Sequence, residues 1–352
     1  MARRALPGSC DVGVSVRLWT SPRGSLTGCT LGLVANGKSD GQVLPEIVRV
    51  AQLGSSSREA RAVRSAARRG ELVRVGPGAF VRAPEWAACD ERQRYVLQVV
   101  ARVPRLAGRV AASHWSAAAL HGLPSLEHWP VGLSVVDPAR ATTQSVSGVL
   151  RRAGSLPDDD VVLVHDVRAT STERTVTDLA LEVDFARAVV VLDSVLHARA
   201  ASTDGIAARL QRHADRGGRG VVGARRALGF ASPRAESPWE SFTRVQLHRL
   251  GAPVPVLQQE FPLHGRVARV DFWFPVQGVV LEFDGRAKYL DAALLGGRST
   301  AEVVVAEKRR EDELRRAHAE LVRAVLRVDA SEVRSLSTFR QLLLQVGVPC
   351  AS

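Results

Sequence analysis

The order of apolar and polar residues divides the chain into segments with helical and with strand-like patterns. Apolar residues recur at helical spacing in ERQRYVLQVVARV and ASHWSAAALHGL, and TSTERTVTDLALEV has the same period behind a Thr/Ser cap. VGLSVVD and VVLVHDV are short and rich in β-branched residues, as strands are. This pattern predicts a mixed α/β middle region over residues 89–232.

Residues 44–88 have the pattern of a small DNA-binding module. LPEIVRVAQ has helical spacing that Gly54 breaks, and SSSREARAVRSAARRG predicts a Ser-capped, Arg-rich helix ending near Gly70. ELVRV and AFVRA flank GPG, which predicts a hairpin. Helix, turn, basic helix and hairpin together predict a winged helix.

The distribution of positive charge along the chain supports this interpretation. The net charge is +12, and residues 1–150 hold 19 Arg/Lys against 10 Asp/Glu, a balance of +9. The basic helix is expected to enter a major groove while the wing meets phosphates. The arginines predicted to bind DNA are Arg58, Arg61, Arg64, Arg68, Arg69, Arg74 and Arg82. The alternative is a solvated basic helix face that binds nothing.

The N-terminal 43 residues are rich in Gly, Ser and Thr without a sustained period, which predicts disorder or a mis-called start. They contain no apolar core of the signal-peptide type, and no run of 18 apolar residues occurs along the chain. The four cysteines form no C-x-x-C pair, which excludes a cysteine zinc site and fits reduced thiols. We therefore expect a cytoplasmic protein without a membrane partner.

Two further patterns are interpreted as structural. GRGVVG (218–223) satisfies G-x-G-x-x-G but follows a helical stretch, so the strand-to-helix turn that binds phosphate is missing. His114, Trp115 and His121 lie in a predicted helix, where histidines are more often structural than catalytic.

The segment RVDFWFPVQGVVLEFDGRAKY (269–289) is apolar yet carries Asp271, Glu282 and Asp284, with Lys288 behind them. A buried carboxylate is costly unless it is paired, hydrogen-bonded or bound to a cation. Either these acids cap strand ends and face solvent, or they converge on a metal.

Phosphodiester hydrolysis uses Mg²⁺, which one or two carboxylates can hold while several waters remain bound. Asp271 and Glu282 on neighbouring strands, with the Phe283 carbonyl, form the predicted metal ligands, and Mn²⁺ would serve as well. Glu240 on the preceding predicted helix is a supporting candidate. A lysine would stabilise charge in the transition state.

The last 115 or so residues, from the capped helix SPWESFTRVQLHRLGAP onward, have the element order α-β-β-β-α-β. They resemble the PD-(D/E)XK nuclease superfamily, and more narrowly the very-short-patch-repair-type endonucleases, through Ser237 to Arg244, VDF (270–272), EFDG (282–285) and the R-E-D-x-L-R helix (310–315). The resemblance implies a restriction-endonuclease-like domain over residues 236–352. It implies these catalytic residues: Glu240, Asp271, Glu282, Asp284, Lys288 and Lys308.

Two positions depart from the superfamily pattern. Val270 stands where proline is usual, and Asp284 stands where the catalytic lysine is usual. Lys288 and Lys308 are two of only three lysines in a chain with 45 arginines, which makes either a candidate replacement.

Residues 44 to about 130 resemble the AbiEi-type, type IV antitoxin family of actinobacterial proteins, through GELVRVGPGAFVRAPEW and SHWSAAALHGLP. This likeness implies DNA as a partner and leaves open a cognate toxin. We expect an α/β multidomain protein that binds and cuts DNA. The rivals are a DNA-binding regulator with an inactive nuclease fold and an interaction module on that fold; the oligomeric state stays open.

Overall fold

The computed structural model of the chain describes residues 17–20, 26–30, 44–54, 57–263, 265–284 and 316–351. The chain divides into two compact units, residues 1–105 with 164–167, and residues 106–163 with 168–352. Helices and several mixed sheets make the fold mixed α/β, as predicted. None of the helices within the described ranges is both long and apolar enough to cross a bilayer.

The strands of the described chain are β1 (Arg17–Thr20), β2 (Leu26–Thr30), β3 (Val48–Arg49), β4 (Leu72–Gly76), β5 (Ala79–Arg82), β6 (Ala111–Ala112), β7 (Leu133–Asp137), β8 (Gln144–Val146), β9 (Val149–Ala153), β10 (Val161–Val164), β11 (Val167–Thr170), β12 (Val256–Leu263), β13 (Arg266–Phe274), β14 (Val279–Phe283) and β15 (Ala324–Val328). Its helices are α1 (Arg58–Arg68), α2 (Ala83–Ala88), α3 (Glu91–Arg102), α4 (His114–Leu120), α5 (Thr172–Glu182), α6 (Phe185–His197), α7 (Thr203–Asp215), α8 (Val221–Phe230), α9 (Pro238–Arg249), α10 (Ala330–Arg334) and α11 (Leu336–Gln345).

In the first unit, β3, β5 and β4 form a three-stranded antiparallel sheet in that order. The predicted hairpin is confirmed, since β4 and β5 are joined by a tight turn with Gly78 at φ 63°. The basic helix is confirmed as α1, whose N-cap Ser57 accepts a hydrogen bond from the Ala60 amide. β1 and β2 pair antiparallel in a stretch where the sequence predicted disorder, and the rest of residues 1–43 lies outside the described ranges.

The helix predicted from LPEIVRVAQ is wrong. The segment forms strand β3 and a one-turn 3-10 helix, Val50–Leu53. Val48 lies opposite Phe80, so the segment extends the sheet instead of forming a helix. β-Branched residues favour this outcome, because they fit a pleated surface better than a short helix.

The second unit contains a helical layer and two sheets. One mixed sheet has the order β10-β11-β6-β7-β9-β8, and the other has the order β12-β13-β14-β15, with β15 parallel to β14. The predicted helices of the middle region are confirmed as α3, which lies in the first unit, and as α4 and α5, which lie in the second. Residues 218–220 of GRGVVG lie between α7 and α8, and the remaining three residues form the first turn of α8, so the predicted loop is shorter than the motif.

Helix α9 packs on both the helical layer and the four-stranded sheet. Val245 belongs to the core made with α5, α6, α7 and α8, whereas Leu247 and Leu250 belong to the core that contains Phe272 and Leu281. The boundary predicted at residues 232–236 therefore falls inside the second unit. The charged helix predicted after β14 lies mostly outside the described residues.

Candidate active site

The register of the four-stranded sheet brings the two predicted carboxylate ligands together. In the antiparallel pair β13 and β14, Phe272 lies opposite Leu281 and Trp273 lies opposite Val280. The next position outward sets Asp271 opposite Glu282. Residues directly opposite each other project from one face, with Cβ atoms about 4.5 to 5.5 Å apart. The two carboxylates therefore share a face of the sheet.

The same row continues across all four strands. On β12, Gln258 falls opposite Asp271, between the pairs Leu257 with Phe272 and Gln259 with Val270. On β15, Arg327 is the partner of Glu282. We call these four residues the cross-sheet row: Gln258, Asp271, Glu282 and Arg327.

Protein partners satisfy the two central acids. The Phe283 backbone N–H donates to Asp271 Oδ2 at 2.9 Å. Arg327 Nε lies 3.4 Å from Glu282 Oε2. Glu282 is 9% exposed, so its charge requires such compensation. The acids are neither solvated turn residues nor isolated buried charges.

Glu240 reaches the row through Gln258. It occupies the first turn of α9, where the N-cap Ser237 side chain accepts from the Glu240 amide at 3.1 Å. Its carboxylate oxygen Oε2 accepts from Gln258 Nε2 and from the Glu236 backbone N–H, each at 2.9 Å. The helix N-terminus further favours the carboxylate charge. Glu240 is thus fixed in place at the β12 end of the row.

Gln258 has an unusual backbone conformation for its residue type. Its φ is 53°, in the left-handed region that non-glycine residues rarely adopt. Such a conformation costs on the order of 1 to 3 kcal/mol and persists where the surroundings impose it. No sequence pattern identified Gln258, because its conformation follows from the strand pairing and from the bond to Glu240.

The ends of α9 and β14 are held together by aromatic and backbone contacts. The rings of Trp239 and Phe283 stack with centroids 5.3 Å apart and planes 3° apart. The Asp284 backbone N–H donates to the Val328 carbonyl at 2.8 Å, which ties the EFDG segment to the end of β15. Asp284 itself is half-buried. The predicted lysines, Lys288 and Lys308, lie outside the described residues.

A buried ion pair orients helix α9 from the other side. Arg244 Nη1 lies 2.6 Å from Asp193 Oδ2 on α6, and Arg244 Nη2 donates to the Phe230 carbonyl at 2.7 Å. Asp193 is completely buried and also accepts from the Ser232 backbone N–H at 2.7 Å. Arg244 is the last residue of the segment Ser237 to Arg244 that carries the nuclease resemblance, and here it anchors the helix that presents Glu240.

The row opens to solvent beside β12. A cleft of about 370 Å³ runs along this strand, and its lining includes His197, Arg234, Glu236 and Gln258. Glu236 is paired with Arg269 at 2.7 Å. The cleft gives a ligand access to the Gln258 end of the row.

Within the described ranges, no three His, Cys, Asp or Glu side chains gather closely enough to hold a metal by themselves. The oxygen chemistry of Asp271 and Glu282 nevertheless suits Mg²⁺, which needs only one or two carboxylates and keeps its remaining waters. The Phe283 backbone lies beside Asp271, as the hydrogen bond from its N–H requires. The residues present therefore fit a magnesium-type ion, although they do not enclose it.

The second candidate surface is the basic face of α1 in the first unit. Ala60, Val63 and Ala67 pack toward a small core that includes Val50 and Phe80. The arginines project from the remaining arc of the helix, and all are exposed: Arg58, Arg61, Arg64, Arg68 and Arg69. This arrangement is what a phosphate-binding helix requires.

Arg69, Arg74 and Arg82, all predicted to bind DNA, have partners within the protein. Arg69 Nε lies 2.6 Å from Glu71 Oε1, and Arg82 lies 3.7 Å from Glu85. Arg74 Nε donates to the Gly76 carbonyl at 3.2 Å. All three side chains are exposed, so these contacts are weak and exchangeable.

The two histidines of the SHWSAAALHGL segment have structural partners. His114 is buried, with Nε2 3.3 Å from Glu182 Oε1 and Nδ1 3.1 Å from Ser113 Oγ. Burial alone would raise the pKa of Glu182, but the hydrogen bond and charge of His114, with Arg152, outweigh it and lower the pKa. These contacts agree with a structural role.

Comparisons with known proteins leave the family open. No protein-family profile matches the chain. The chain is 31% identical over 183 residues to two Mycobacterium tuberculosis proteins, from strains CDC 1551 and H37Rv, each described as an uncharacterized protein. These alignments cover 51% of the chain and 64% of each relative, so the chain spans less than two thirds of their length. It is also 36% identical over 98 residues to the bifunctional enzyme IspD/IspF of Sphingopyxis alaskensis, across 28% of the chain and 24% of that enzyme.

Proposed function

We propose that this protein is a DNA-binding, metal-dependent endonuclease whose reaction takes place at the cross-sheet row. The observation that carries the proposal is the register of β13 and β14, which, continued by one position beyond Phe272 and Leu281, sets Asp271 opposite Glu282 on one face of a core sheet. Two buried or half-buried carboxylates side by side on adjacent strands repel each other and lose hydration, even with the partners that Phe283 and Arg327 provide. A hydrolytic site that uses their charge accounts for their presence.

Asp271 and Glu282 would hold Mg²⁺ or Mn²⁺. The ion would neutralise charge on the phosphodiester and lower the pKa of a bound water. The Phe283 N–H fixes the orientation of the Asp271 carboxylate, and Gln258 links the row to Glu240. Such fixed side chains reduce the reorganisation that the reaction requires.

DNA would reach the protein through the basic face of α1. The exposed arginines of that helix suit phosphates, whose contacts fix position without reading sequence. A nuclease with this arrangement would bind many sequences and draw its selectivity from the structure of the DNA at the row. The surplus of positive charge in residues 1–150 supports the same partner.

A second candidate function is a DNA-binding regulator that performs no chemistry. The contact that favours it is the ion pair between Arg327 and Glu282, since an internal cation can replace a bound metal. In that case the row stabilises the sheet, and the basic helix carries the function. A cognate toxin would be the partner of such a regulator.

A cleavage assay with the full chain separates the two candidates. Purified protein is incubated with duplex, nicked, mismatched and single-stranded DNA, in Mg²⁺, in Mn²⁺ or in EDTA. The proposal expects cleavage of at least one substrate that EDTA abolishes. Binding without cleavage of any substrate would support the regulator.

A further inference from the structure

Arg327 is the one charged residue of strand β15, whose sequence is AVLRV. The other residues of the strand are apolar, and Val328 packs in the core with Phe272 and Leu281. An arginine in such a strand needs a partner, because a half-buried guanidinium loses part of its hydration. Its side chain is 27% exposed.

Arg327 pairs with Glu282, one of the two central acids of the row. β14 and β15 run parallel, with Glu282 in register with Arg327, and Arg327 Nε lies 3.4 Å from Glu282 Oε2. This separation exceeds the usual length of a charge-assisted hydrogen bond, about 2.7 to 2.9 Å. The contact is therefore an electrostatic pair that can exchange partners.

The EFDG segment lacks the lysine usual in the nuclease pattern and has Asp284 at that position. Arg327 brings a positive charge to the same acid from the neighbouring strand. A guanidinium presents a planar fork of N–H donors that matches two phosphate oxygens, whereas an ammonium acts as a point charge. The position and the chemistry together suit a residue that contacts the phosphodiester.

We infer that Arg327 is a cationic residue of the proposed site: it neutralises Glu282 in the free protein and contacts a phosphate oxygen of bound DNA. This inference rests on the proposed function, since it assigns a substrate contact to that site. It makes Arg327 and a divalent cation competitors for Glu282. Loss of the guanidinium should therefore strengthen cation binding and weaken cleavage, two effects that a purely structural arginine would not produce together.

The test compares Arg327→Gln with wild type in Mn²⁺ binding, followed by electron paramagnetic resonance of the free ion, and in DNA cleavage. Removing the charge beside the acid should tighten Mn²⁺ binding by on the order of tenfold or more, because like charges a few ångströms apart repel even at the dielectric of water. Cleavage should fall on the order of 10²-fold, as with other electrostatic stabilisers. Glu282→Gln shows which part of the Mn²⁺ binding belongs to this site, because that part should be lost in the variant.

Arg323→Gln is the matched control. Arg323 is exposed, precedes β15 and lies four residues from Arg327, so its loss removes the same charge away from Glu282. Neither Mn²⁺ affinity nor cleavage should change. Arg327→Met suits the apolar strand and gives the same expected results if Arg327→Gln does not fold.

The outcomes separate the inference from the proposed function. Unchanged Mn²⁺ affinity in Arg327→Gln overturns the role of Arg327, even where wild type cleaves DNA. Tighter Mn²⁺ binding without cleavage by wild type supports Arg327 as the competitor for Glu282 and overturns the hydrolytic function and the phosphate contact. A wild-type protein that binds no Mn²⁺ overturns both.

Discussion

Arg244 Nη1 lies 2.6 Å from Asp193 Oδ2, and this buried pair joins helix α9 to helix α6. Because α9 also carries Glu240, the orientation of the candidate site depends on a contact formed well away from it. The Arg244 guanidinium further lies over the Phe230 ring, 4.7 Å from its centroid. The pair thus couples the helical layer to the sheet that bears the acids.

Loss of one partner of this pair should destabilise the second unit. Asp193→Ala leaves the Arg244 charge without its carboxylate in a buried setting, which costs on the order of 3 to 5 kcal/mol. The free energy of unfolding in urea measures the effect. As a control, Arg109→Ala removes an exposed pair with Asp158 and should change stability by about 1 kcal/mol or less. Equal effects of the two substitutions would contradict the anchoring role of Asp193.

Acidification should destabilise the protein through His121. Its Nε2 lies 2.7 Å from the Thr170 carbonyl, so that nitrogen carries the proton of the neutral ring. Burial lowers the pKa of His121 from its ordinary value of 6.5, and the hydrogen bond to Thr170 offsets this only in part. The unfolded chain therefore takes up a proton near pH 6.5 before the folded chain does, and stability falls as the pH drops through that value.

The measurement is the free energy of unfolding between pH 8 and pH 5. Wild type should lose more stability over this range than His121→Gln, whose side chain does not titrate. Parallel losses in the two proteins would show that His121 contributes nothing to the pH dependence.

The backbone of Gln258 gives a separate prediction about stability. A β-branched residue is strongly disfavoured at φ 53°, so Gln258→Val should destabilise by about 2 kcal/mol or more. Gln259→Val on the same strand lacks this strain, and its effect should be small. Thermal unfolding of both variants provides the comparison, and similar melting temperatures would refute the strain at Gln258.

DNA binding should depend on salt through the arginines of α1. Each phosphate contact contributes about −0.9 to the slope of log K against log salt concentration. The double variant Arg64→Ala with Arg68→Ala should weaken binding to all duplexes. It should also make the slope shallower by about 1.8, the contribution of two phosphate contacts. The matched control replaces Arg212 and Arg216, two exposed arginines at the end of α7, and should retain the wild-type slope. Identical slopes for the two double variants would remove the basis for assigning α1 to DNA.

Local sequence signals predicted the elements with strong periodicity or clear caps. Ser237 before an apolar period predicted α9, and the GPG turn predicted the β4 and β5 hairpin. The apolar spacing around Val48 predicted a helix, but the segment forms a strand because Val48 pairs with Phe80 on β5. Periodicity describes a segment alone, whereas a sheet depends on distant partners.

The acids of the candidate site were predictable, whereas their partners were not. Asp271 and Glu282 attract attention as charges in apolar strands. Arg327 is likewise a charge in an apolar strand, AVLRV, but only the parallel register of β14 and β15 shows that it lies beside Glu282. Asp193 and Arg244 are 51 residues apart, and only packing of the helices brings them together.

Cleavage by the Glu282→Gln protein tests the central claim most directly. The amide keeps the size of the side chain and removes the charge that would hold a cation beside Asp271. Wild type and the control Glu320→Gln, an exposed acid before β15, should cut DNA in Mg²⁺ and stop in EDTA, whereas Glu282→Gln should bind DNA as wild type does and not cut it. Cleavage by Glu282→Gln at the wild-type rate, or wild-type cleavage that continues undiminished in EDTA, would contradict metal-dependent hydrolysis at this row.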